Sequence, residues 1–449
     1  MAKSLSLVFL LAIGIFSCYQ QKEKKVETPE KTEKVTIAEI EEGIKSFIQE
    51  KSEKSGGYFE VRDRGRDFKM KLVRVHTEYL ANLGPNNHFA CVDLVDTKGD
   101  VYDIDFFLEG EPEQMNVTET SVHKLNGKPF YAWKQQKDKT WNRVPVKEAT
   151  TRLLGVIEGS DFFEFNYRIE LPEIQGLAKL WIPIATTDEY QAVDITTSMN
   201  IPRDFQFLKD KDFNNTILYF EPTPELGNQF IEITYQVKRL EKGPAIESGQ
   251  VDSKYLSENA LMPVGGRFET IAMEATKGRD ETNLMKARAL YDYIIDNMRY
   301  MKYGQYGLGD ANNACDLKTG NCTEFHSFFI SLARSSGIPA RFAVGASIPS
   351  ERNDGGIDGY HCWAEFYADG KWWPIDISEA NKYTALATYY FGHHPANRIE
   401  LSRGRDLKVE PGPVSGPINF FAYPVLEING KVASTKTTFS FKRLAAPEL

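Results

Sequence analysis

The chain of 449 residues is 41% hydrophobic and 12% aromatic, with a formal net charge of −9. That length exceeds what one ordinary core fills and predicts roughly two to four domains. The composition excludes extended disorder, and an acidic balance without a Lys/Arg block excludes a nucleic-acid partner.

The first predicted element stands apart from the fold. Lys3 precedes an apolar run over residues 5–16, too short to span a bilayer. It closes on Ile15-Phe16-Ser17-Cys18, which resembles the lipobox of bacterial lipoproteins. The resemblance implies that residues 1–17 are a signal peptide and that Cys18 is acylated and becomes the new N-terminus. Several acyl chains anchor a protein stably where one does not. An ordinary secretory signal with an incidental cysteine is the alternative. "YQQKEKKVETPEKTEK" then mixes both charges, so residues 18–36 read as a polar tether. The expected location is the cell envelope, lipid-anchored to a membrane on its periplasmic or outer surface.

Residues 37–150 predict a small α+β domain. Ile37, Ile40, Ile44 and Phe47 recur at helical spacing, and strand-like runs follow from "FKMKLVRVHTEYL" to "VTETSVHKLNGKPFYAW". Turn signals separate them at Gly84-Pro85-Asn86 and Lys98-Gly99-Asp100. One helix and then a meander is similar to cystatin-type folds in element order. Residues 151–250 predict an all-β domain: "DFFEFNYRIEL", "GLAKLWIPI", "YQAVDITTSM", "NTILYFEP" and "QFIEITYQVKRL" alternate and break at Pro, Gly or Asn. They read as an immunoglobulin-type β-sandwich. Neither region holds a catalytic constellation.

From residue 251 to residue 449 the pattern carries chemistry. Leu284, Ala287, Tyr291, Ile294, Ile295 and Met298 share one helical face. In "GNCTEFHSFFISLARSSGIPAR", Asn321 and Glu324 form a capping-box pair, which puts Cys322 at the first helical position. Phe325, Phe328, Phe329 and Leu332 make the buried stripe, and Gly337 with Pro339 ends the helix. A thiol there faces unpaired amide hydrogens and the positive end of the dipole, both of which favour thiolate. The spacing predicts a nucleophile.

Its base lies downstream. "GYHCWAEFYADGKWWPIDISEA" predicts a hairpin turning at Asp369-Gly370. Ala368 then faces Lys371, Trp363 faces Asp376 and His361 faces Ser378. His361 and Asp376 become diagonal neighbours on one face, within side-chain reach. Cys322, His361 and Asp376 thus supply nucleophile, base and orienting carboxylate. His326 is expected to be structural, since one Cys-x-x-x-His pair is half a metal site. Cys362 is expected to point away from His361 and to be buried, and Cys315 to be unpaired. With no CxxC pair in the sequence, no metal and no cofactor are expected.

These stretches, in this order, resemble the core of the transglutaminase-like superfamily over roughly residues 255 to 425. The resemblance implies an α+β, papain-like thiol-enzyme core behind the sandwich and the small domain. In it Cys322, His361 and Asp376 occupy the nucleophile, base and orienting positions. It also implies an oxyanion donor upstream of the nucleophile, beside the Cys322 N–H. Bacterial relatives tend to show a Trp in a Gly-rich stretch there. This chain has "GQYGLGD", which makes Tyr306 and Gln305 the candidates. The expected function is a thiol hydrolase, a peptidase or amidase acting on a protein or peptide through a thioester acyl-enzyme. The alternatives are a protein-glutamine acyltransferase that cross-links, and a non-catalytic envelope binding or scaffold protein.

Overall fold

The computed structural model describes residues 35–445, apart from 64–65, 78–79, 85, 112–113, 136–140, 146–154, 248–249, 279–281, 302–305, 351 and 383–385. The apolar run 5–16, the lipidation candidate Cys18 and the oxyanion candidate Gln305 lie outside the described residues. Among the described residues, no helix is long and apolar enough to cross a membrane.

The N-terminal layer is a helix, Ile37–Lys54, on a seven-stranded antiparallel sheet. Thr36 opens the helix with a full capping box: its hydroxyl accepts from the Glu39 N–H at 3.2 Å, and the Glu39 carboxylate accepts from the Thr36 N–H at 2.6 Å. The helix buries Ile40, Ile44 and Ile48, while Ile37 is exposed and Phe47 only half-buried. The buried stripe is therefore narrower than the predicted one, a single i, i+4, i+8 row laid along the sheet. On the strands Asn87–Asp96 and Val101–Glu109, Ala90, Val92, Leu94, Ile104 and Phe106 face that helix. Alternation turns Cys91, Asp93, Asp103 and Asp105 to the other face. That face is buried too, and Arg288 of the core binds Asp93 there at 2.8 Å.

Two five-stranded sheets form the sandwich. The strand Ser160–Glu170 alternates without a break, burying Phe163, Phe165, Tyr167 and Ile169 between the sheets. Residues from the far C-terminus complete both layers. Lys436–Arg443 pairs with Ser160–Glu170, and Val425–Ile428 pairs with Ala178–Ile184. Asp354–Ile357 adds an edge to the first sheet. The span 251–449, expected as one unit, thus lends strands to the sandwich. Sequence reading treats segments as contiguous, whereas strand pairing does not.

The core places helices Asn283–Asn297 and Cys322–Ser335 against a four-stranded sheet. Its order is Lys371–Ile375, His361–Ala368, Ala340–Ser347, Arg398–Arg403. Phe325, Phe328, Phe329 and Leu332 are fully buried, each worth about 1.5–3 kcal/mol of apolar burial. That stripe fixes the rotation of the helix and so the direction of its first residue.

Candidate active site

Local chemistry holds Cys322 at the helix mouth. The Asn321 side chain accepts from the Thr323 N–H at 2.9 Å, and Glu324 Oε2 accepts from the Asn321 N–H at 3.0 Å. Gly320 is required by close approach: a Cβ there would meet the Glu324 Cβ at 2.4 Å. The other Glu324 oxygen accepts from the N–H groups of Gly307 and Gly309, both at 2.8 Å. One carboxylate therefore caps the helix and pins the glycine-rich loop beside it.

His361 opens its strand, and the hairpin register runs as expected from Ala368↔Lys371 to Ala364↔Ile375. There the ladder stops. Asp376 leaves the sheet and heads the short helix Ile377–Lys382, so Ser378 does not stand opposite His361. Its hydroxyl instead donates to Asp376 Oδ1 at 2.9 Å, alongside the Glu379 N–H at 3.1 Å. An aspartate followed by helix-compatible residues is a strong N-cap, and capping overrides strand continuation here. The second oxygen, Oδ2, meets His361 Nε2 at 2.6 Å. With Nε2 engaged, Nδ1 is the nitrogen left for the thiol.

The charges reinforce one another. Burial alone would lower the His361 pKa, but the Asp376 carboxylate and the Cys322 sulfur raise it to about 9. Burial alone would raise Cys322, yet hydrogen bonds from Cys362 and His361 and the His361 charge hold it well below an ordinary thiol. Burial likewise opposes the Asp376 charge, and His361 and Arg398 together keep it well below the carboxylate range. The arrangement favours a thiolate–imidazolium pair.

Residues 269–377 match the transglutaminase-like superfamily, a span that begins in the helix Arg267–Ala275 and ends one residue past Asp376. This segment is a transglutaminase-like domain. The chain is 24% identical over 348 residues to an uncharacterized protein of Haemophilus influenzae, covering 66% of this chain and 94% of that one. Two solved structures share low similarity with it. A candidate cysteine protease of Cytophaga hutchinsonii has a TM-score of 0.42 at 15% identity, over 65% of this chain and 93% of that one. A candidate protease of Parabacteroides distasonis has a TM-score of 0.22 at 11% identity, over 64% and 63% of the two chains.

The cleft of the transglutaminase-like domain measures about 590 Å³ and is lined by Cys322, His361, Tyr300, Tyr306, Tyr360 and Glu379 among others. Tyr306 stands at its rim, 41% exposed. Three lining tyrosines, Tyr300, Tyr360 and Tyr423, escaped the sequence reading. The Tyr360 hydroxyl accepts from Asn321 Nδ2 at 3.1 Å, lies 3.2 Å from Thr323 Oγ1, and so braces the cap of the Cys322 helix. Its place directly before His361 was the available signal. Tyr300 lines the same cleft as Cys322, and its phenol pKa is pushed up, by burial first and then by the Cys322 charge.

His326 lies behind the site. Its Nδ1 bonds the Cys322 carbonyl at 2.7 Å, and its Nε2 accepts from the Ile377 N–H at 3.0 Å. Since Nε2 accepts, Nδ1 carries the proton, and the ring stitches the Cys322 helix to the turn that holds Asp376. Cys362 is fully buried. It also lies 3.7 Å from His326 Nδ1 and within hydrogen-bond reach of Cys322, a neighbour that strand alternation did not reveal. Cys315, Cys362, Cys322 and Cys91 are all free thiols.

Proposed function

We propose that the protein is a lipid-anchored envelope thiol hydrolase, a peptidase or amidase acting on protein or peptide chains. One observation carries this reading. A single imidazole, His361, is held by Asp376 through Nε2 at 2.6 Å while its other side faces a thiol at a helix N-terminus. In the mechanism, the Cys322 thiolate attacks an amide carbonyl and the Cys322 N–H receives the oxyanion. Tyr306 or Gln305 supplies a second donor. His361 passes its proton to the leaving amine, and Asp376 holds the tautomer throughout. A thioester remains, and His361 then activates the water that resolves it.

Amine transfer, which would make the protein a cross-linking acyltransferase, shares every step up to the thioester. The two are separated by incubating a peptide library with and without an isotopically labelled primary amine and weighing the products. Free acid, released at a rate that a few millimolar amine barely changes, is the expected result. Label in most of the product would replace hydrolysis with transfer, and no product in either arm would leave a binding protein. The anchor is tested separately: Cys18→Ser is expected to move the protein out of the membrane fraction or to leave its precursor unprocessed. A processed variant still on the membrane would mean another anchor.

A further inference from the structure

The core-facing side of the N-terminal sheet holds a cluster that the thiol chemistry does not use. A ring nitrogen of His76, the Cys91 sulfur and a carboxylate oxygen of Asp103 lie within 4.8 Å of one another, and all three residues are buried. Register brings them together. Cys91 stands opposite Asp105 and Asp93 opposite Asp103, while His76 follows the strand whose last residue, Val75, pairs with Val92.

The surroundings call for a cation. Asp103 is 3% exposed, its Oδ2 takes the Lys124 ammonium, and its Oδ1 has no hydrogen-bond partner among the described residues. A buried oxygen left so is costly unless something binds it. Asp93 Oδ1 also lies 2.9 Å from His76 Nε2, the outer carboxylate that orients a metal-bound imidazole.

We infer that His76, Cys91 and Asp103 hold one divalent transition-metal ion of the zinc class, independently of the thiol site. A soft sulfur with an imidazole and a carboxylate selects such an ion over magnesium or calcium. Donors around tetrahedral zinc sit about 3.5 Å apart, and these three lie within 4.8 Å of one another. Binding displaces the Cys91 proton to solvent, so ion and thiolate together add a single positive charge. Through Asp93 and Arg288 the ion would lock the sheet to the helix Asn283–Asn297.

The test uses the full chain carrying Cys322→Ala, so that the nucleophile cannot bind metal. The protein is stripped with a chelator and titrated with Co(II) and then Zn(II). The expected result is one equivalent bound, a thiolate-to-cobalt absorption band in the near ultraviolet, and a raised Tm with zinc. Asp93→Asn should weaken binding about 10–100-fold, and Cys91→Ser should abolish the band. A second chain, with Cys18, Cys315, Cys322 and Cys362 all replaced by serine, keeps Cys91 as its one cysteine. It should retain the band whether or not Cys91→Ser folds. No band in the Cys322→Ala protein, or a band unchanged by Cys91→Ser, overturns the inference.

Discussion

Cys322 and Cys91 are both buried, and each lies beside a histidine and an aspartate, yet their surroundings drive them in opposite directions. Cys322 begins a helix, borders a cleft, and faces an imidazole raised to about 9, so its proton is easily lost. Cys91 lies mid-strand among Asp93, Asp103 and Asp105, with burial and those charges holding its proton on. The same three residue types favour a thiolate in one place and a protonated thiol in the other. What differs is the sign of the field, set by a helix terminus and an imidazolium on one side and by carboxylates on the other.

The comparison breaks most sharply at the triad. Cys322→Ala or His361→Ala should lower kcat on the order of 10⁴-fold or more, measured as turnover per folded molecule, while His326→Ala should lose stability rather than the chemical step. Equal loss of turnover in His326→Ala would mean that it, too, acts on the reacting atoms. On the other side, Arg288→Met leaves Asp93 buried without its 2.8 Å partner. A destabilisation of about 3–5 kcal/mol is expected, read from denaturant melts. A third expectation compares the thiols directly. At pH 6, iodoacetamide should label Cys322 about tenfold or more faster than a free cysteine, while Cys91 stays unlabelled until the chain is unfolded. Faster labelling of Cys91 would reverse the argument.

The pH profile sharpens the same point. A His361 pKa raised to about 9 means that the imidazolium is present below that pH and lost above it. The falling limb of kcat/KM should therefore lie near pH 9. Asp376→Asn removes the main upward push and should move that limb down by about 1–2 units; an unmoved limb would assign it to another group. The smallest effect concerns the loop. Glu324→Ala orphans the N–H groups of Gly307 and Gly309, worth about 1–3 kcal/mol. It should raise KM about tenfold, with Glu324→Gln recovering part of it because an amide oxygen still accepts.

Some of this was legible because it is local. A capping box closes over three residues, so Asn321 and Glu324 announce a helix start at Cys322 in the sequence itself. A two-residue turn sets hairpin register by counting, which paired Ala368 with Lys371 correctly. Counting failed one residue past the ladder, where Asp376 obeys a second local rule, helix capping, that competes with strand extension. The sandwich was legible strand by strand, but not its borrowing of strands from residues 425–443.

Alone, then, the sequence determined the helix that presents Cys322 and the strand that presents His361. Each follows from interactions spanning a few residues, where backbone geometry dictates side-chain direction. Only the tertiary structure decided that His326 bridges the Cys322 carbonyl to the Ile377 N–H and that Cys362 touches Cys322. It alone brought His76, Cys91 and Asp103 within 4.8 Å. Those meetings depend on how separate elements dock, and docking is set by the burial of whole apolar faces, which no local spacing records.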